Sequence, residues 1–240
     1  MTFTIDESQT KAAKVVGLVY LLALVPAVFA EFYVSPQLIV HADAAQTALN
    51  IMAHERLFRL GIASNLTVFA MDIVLITALY VILRPVNRNL ALLAAFWGLI
   101  ETATLVIVAL KDIDVLSVLS GADYLKVFGA DRLQALARLS IDAHGNVYNV
   151  GLVFAGLRST VFCYLWLKSG FIPRVLAAWG VFASSLMGAC AFVFIVFPEL
   201  SKVVTVGYYG GPIFVFELTM GFWLLFGRLR PSGEPAVKSP

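Results

Sequence analysis

Four ionisable residues stand inside long apolar runs of this sequence: Asp72, Glu101, Arg158 and Glu217. An unpaired arginine near a bilayer centre costs at least ~2.5 kcal/mol, so such groups persist there only facing one another or a polar ligand. Three acids and one base cannot all stay charged in that setting. The chemistry open to them is a proton or ion relay, or a binding point for a small polar solute or a lipid head group, with Arg158 as the fixed cation and the carboxylates competing for it. Asn65 and Asn149, on the same apolar runs as Asp72 and Arg158, add neutral hydrogen-bonding groups. The alternative use of the four charges is architectural, with Arg158 locking helix order through one or two acids.

His41, Asp43, His54, Glu55, Asp142 and His144 form a second set of metal-ligand residue types. No spacing such as His-Glu-x-x-His joins them. Asp43 is placed to cap a helix, Glu55 stands four residues before Arg59, and histidines suit a wet interface, with Glu31 near the same level. A metal would have to use His41, His54, Asp142 and His144. No Ser/His/Asp nucleophile motif, Gly-rich phosphate loop or haem-binding pair is present, and nothing calls for a cofactor. The residues therefore favour binding or transport over catalysis. A metal-dependent intramembrane enzyme at the outer face is the alternative.

These side chains must be positioned by elements that live in lipid. Of 240 residues, 60% are hydrophobic and 13% charged, where a soluble domain carries about 25% charged residues. The net charge of +2 is spread between apolar runs and forms no basic stripe, which excludes nucleic acid as a partner. Cys163 and Cys190 lie in apolar segments without ligand spacing and read as packing residues.

Six runs are long enough to cross a hydrocarbon core, over residues 13–34, 60–83, 89–110, 140–167, 172–197 and 203–226. The fold expected is all-α, a polytopic helical bundle forming a single integral membrane domain over residues 1–230, followed by a disordered tail at 231–240. Counted back from one end of each span at ~1.5 Å per residue, Asp72 and Glu101 lie about 18 Å deep and Arg158 and Glu217 about 14 Å deep. The fourth span is the central post. At about 100° per residue, Arg158, Gly151, His144 and Ser140 share one face, while Asp142, Asn146, Asn149, Gly156 and Thr160 share the opposite one. Both sides must be covered by other helices.

Between the spans, Ser35 and Pro36 are expected to stop the first helix. Residues 42–59 read as an amphipathic helix on the membrane surface, opened by Asp43 and carrying Gln46, Asn50 and His54 as its polar stripe. Residues 112–139 read as two short helices capping the outer face. Gly170 suits a left-handed helix end and Pro173 the first turn of the next helix. Gly180, Ser184 and Gly188 recur every four residues on a span that carries no charge after Arg174, a face that suits close helix packing and a scaffold or partner subunit. Lys11, Lys14, Arg84, Arg88, Lys168, Arg174, Arg228 and Arg230 fall on one side of a six-span layout. That side is expected to be the cytoplasm, with both termini inside and the three histidines outside.

The run Val40-His-Ala-Asp43-Ala-Ala-Gln-Thr-Ala-Leu-Asn50-Ile-Met-Ala-His-Glu55-Arg-Leu-Phe-Arg59-Leu-Gly61 resembles the signature of a bacterial membrane protein family described as domain of unknown function 4386. Leu79 to Arg88, Ser169 to Ala177, and Phe216-Glu217-Leu-Thr-Met-Gly221-Phe-Trp223 extend the similarity over nearly the whole chain. The resemblance implies a multi-pass protein of a bacterial plasma membrane. It brings no activity, and Asp43, Asn50, Glu55, Arg59 and Glu217 carry over as motif positions only.

Overall fold

In lipid an apolar run of about 20 residues satisfies its backbone most readily as helix. The computed structural model describes residues 5–40 and 43–229, and among these it contains helices and no strand. His41 and the tail at 231–240 lie outside the described residues. Among the described residues, six stretches are long and apolar enough to span a membrane: Glu7–Leu38, Glu55–Leu83, Arg88–Leu119, Ala130–Ser169, Arg174–Val196 and Val206–Phe226.

The first stretch comprises α1 (Glu7–Val28), a π-helical segment (Phe29–Val34) and α2 (Ser35–Leu38). Ser35 and Pro36 do not stop it. The wider turn, with the Ser35 N–H donating to the Ala30 carbonyl, sets Pro36 into the first turn of α2, where a missing N–H costs least. The short helix α3 (Ala44–Ala53) is capped as expected: the Asp43 carboxylate accepts from the Gln46 amide at 2.9 Å. Residues 42–59 are not one helix, however. His54, at φ −127° and ψ 41°, ends α3, and α4 (Glu55–Leu83) starts immediately after it. The Glu55–Arg59 ion pair of 2.7 Å therefore stabilises the first turns of a spanning helix.

The largest departure concerns residues 112–139. The helix α5 (Arg88–Leu119) runs nine residues past the expected end at 110, and α6 (Ala130–Ser169) begins ten residues before 140, leaving one short 3₁₀ turn at Asp123–Val127. Ion pairs accompany both additions: Lys111 to Asp114 at 2.9 Å just past the expected end of α5, and Arg138 to Asp142 at 2.9 Å across the expected start of α6. At 40 residues, α6 has twice the ~20 that cross a hydrocarbon core. It is followed by α7 (Arg174–Val196) and α8 (Val206–Phe226). Gly170 adopts φ 69° at the end of α6 as expected, and Pro173 sits immediately before α7.

The chain groups into two compact units. One holds the residues up to Leu22, Asp72–Glu101 and those from Leu152 onward. Its core includes Phe162, Trp166, Phe171, Phe216 and Met220, all nearly inaccessible. Within it the small residues of α7 pack inward: Gly188 lies against Gly156, where an added β-carbon would meet Gly188 N at 2.8 Å, and Gly180 faces Phe216 and Cys163. That stripe is used inside the chain, which removes the feature that favoured a scaffold or partner subunit. The second unit, residues 23–71 with 102–151, is built around Val34, Leu38, Ile51, Phe58, Phe69, Leu105, Val108 and Val115.

Candidate functional site

Arg158 and Glu101 are both buried, at 6% and 3% exposure. The guanidinium meets the carboxylate side-on, Nη2 donating to Oε1 at 3.0 Å with Nε 2.6 Å from Oε2. This pairing joins one charge-assisted hydrogen bond, at Nη2, to an ion contact at Nε that lacks hydrogen-bond geometry. It is made possible by Gly98, one turn before Glu101 on α5: a β-carbon there would stand 2.7 Å from Arg158 Cδ. Asp72 from α4, Tyr20 from α1 and Glu217 from α8 all lie close enough to act electrostatically on Arg158. Asp72, Glu217 and Tyr20 are half-buried. Cys163 of α6 shares this field with Glu217 and Arg158, and its Sγ is 3.9 Å from Ser184 Oγ on α7.

Each of the six spanning stretches thus sends a polar side chain to one locus, and all of these residues belong to the first unit. Asp72, Glu101, Arg158 and Glu217 are brought together as the sequence led one to expect. Asn65 and Asn149 belong to the second unit, where both are half-buried. Tyr20 is the member that sequence reasoning missed. Its signal is a phenol in the interior of an apolar run, a group that needs a hydrogen-bond partner when buried.

The histidines and acids of the second set are not gathered. Among the described residues no group of three or more His, Cys, Asp or Glu side chains is arranged to hold a metal. His54 is exposed, with Nδ1 3.2 Å from the Asn50 carbonyl of its own helix. Asp142 is engaged by Arg138. His144 has a partner that the sequence did not suggest: Asp112, 7% exposed on the added length of α5, lies 2.7 Å from Nδ1. Glu31 of the π-helical segment acts electrostatically on His144, and Tyr148 stacks on its ring with centroids 6.3 Å apart.

These features define a multi-pass helical membrane protein with a charged cluster buried among its spans. Its family follows from comparison with known proteins. A family profile described as domain of unknown function (DUF4386) matches residues 15–227, and the chain belongs to that family. No curated protein and no solved structure is detectably similar to it.

Proposed function

We propose that the protein binds a small polar solute or ion within the membrane, as a transporter or a binding protein, and that the ligand is a proton or small cation held by Asp72 and Glu217. The observation that carries this reading is the side-on Arg158–Glu101 pair. It commits the only cation of the cluster among the described residues to one acid. Asp72 and Glu217 remain as carboxylates that make no hydrogen bond or ion pair with another described side chain, in a field that includes the Tyr20 phenol. Acids in such surroundings are costly unless neutralised, and a proton or a monovalent cation neutralises them. An anion or an anionic head group would have to displace Glu101. The lysines and arginines on the short connections favour placement in a plasma membrane with both termini cytoplasmic.

The test is a melting series of the detergent-purified protein in sodium, lithium, potassium and choline chloride, paired with proton-flux measurements in proteoliposomes under an imposed potassium potential. One cation should raise the melting temperature, or protons should cross, and the Asp72→Asn, Glu217→Gln double variant should lose that behaviour. A cooperatively melting wild-type protein with neither response, or a double variant indistinguishable from it, overturns the reading.

A further inference from the structure

The start of α1 and the end of α8 enclose a cleft of about 480 Å³ in the first unit, apart from the charged cluster. Its polar lining is Thr10, Lys14 and Arg228, and its apolar lining includes Leu224, Phe226 and Leu229. We propose that this cleft is a binding site for the phosphodiester head group of an anionic phospholipid.

Four observations lead there. Lys14 is held in place: Nζ donates to the Leu225 carbonyl at 2.6 Å and to the Gly227 carbonyl at 3.0 Å, which leaves the third ammonium hydrogen for a ligand. Arg228 is exposed and has no ion pair among the described residues, so its planar fork is open to two phosphate oxygens. The acids nearest in sequence are already engaged, Asp6 by the Gln9 amide at 2.7 Å and Glu7 by Lys11 at 2.6 Å. Finally, the apolar side of the cleft continues onto Phe226, which is 81% exposed and stacked with Phe222. A cationic pocket at the ends of two spanning helices, with an aromatic wall turned outward, stands where head groups and upper acyl chains meet. A free phosphate would use the cations and leave that wall uncovered.

The experiment is native mass spectrometry of the full chain released from a neutral detergent, titrated with phosphatidylglycerol or with phosphatidylcholine of identical acyl chains. The wild-type protein should retain one phosphatidylglycerol at concentrations where phosphatidylcholine is lost. Arg228→Gln should weaken that retention about fivefold, the effect of one cation near a lipid surface, while Arg174→Gln, which removes an equal charge outside the cleft, should not. Lys14→Ala is a poorer probe because it also strips two helix-end carbonyls of their donor. Equal retention of both lipids, or equal loss in the two arginine variants, overturns the site. Full displacement by millimolar inorganic phosphate overturns the assignment to lipid.

Discussion

Arg158 lies across Gly98, its Cδ occupying space that a β-carbon at position 98 would enter at 2.7 Å. The same β-carbon would meet Ile76 Cδ1 at 2.6 Å, so a single methyl group presses on the stem of the buried cation and on a core side chain together. Gly98→Ala should therefore destabilise the protein by about 1–3 kcal/mol, as overpacking does. Thermal unfolding in detergent, followed by tryptophan fluorescence, measures it. An unchanged or raised melting temperature would show that Arg158 is free to move aside.

Removing one partner of a buried, hydrogen-bonded ion pair costs about 3–5 kcal/mol, because the other charge is left without compensation. Arg158→Leu should lose that much. Arg158→Leu with Glu101→Leu should recover part of the loss, and more of it than Arg158→Leu with Glu217→Leu, since Glu101 makes the direct contact. Strict additivity of the Arg158 and Glu101 substitutions would refute the coupling.

Gly156 and Gly188 meet through their backbones but not symmetrically. A β-carbon on Gly156 would lie 2.8 Å from Gly188 N, whereas one on Gly188 would lie 3.2 Å from Gly156 Cα. Gly156→Ala should be the more damaging of the two, by at least about 1 kcal/mol, because backbone cannot swing away as a side-chain tip can. Paired melting curves decide it, and the reverse order would contradict the packing described.

The continuity of α6 is open to distance measurement. Leu136 and Val150 are both exposed and stand either side of the break expected at 140. Spin labels at these positions should give one narrow distribution near the ~21 Å that 14 helical residues span. A broad distribution, or one centred well below that, would mean that α6 bends or divides.

What could be read from the sequence was what depends on neighbours along the chain. The apolar runs, the Asp43 cap, the Glu55–Arg59 pair and the left-handed Gly170 each rest on contacts within a few residues, and each is present. The convergence of Asp72, Glu101, Arg158 and Glu217 was legible because lipid gives charges few places to go. Which acid Arg158 selects was not, because three carboxylates at similar depth look alike until helix packing ranks them. The local cue is Gly98, whose missing side chain makes room for the arginine. Asp112 was hidden differently: Lys111-Asp-Ile-Asp114 resembles a solvated connection, yet Glu101, Leu105, Val108, Asp112 and Val115 are all buried at helical spacing. Following that stripe past the first lysine would have placed Asp112 on α5. The small residues of α7 were legible as a close-packing face and pack so against Gly156, Cys163 and Phe216, but small residues announce close packing without naming the helix that supplies it.

The order in which the chain is made gives the Arg158–Glu101 pair a cost in time. Glu101 leaves the ribosome 57 residues ahead of Arg158, roughly 3–11 s at ~5–20 residues per second. Throughout that interval the nearest charged group of the eventual cluster already made is Asp72, which has the wrong sign to help. Until α6 arrives, α5 cannot settle with Glu101 at its final depth without protonation or a borrowed partner. The third and fourth spans therefore become stable as a couple, and a membrane insertase that held α5 at the edge of the bilayer for those seconds would be guarding one carboxylate.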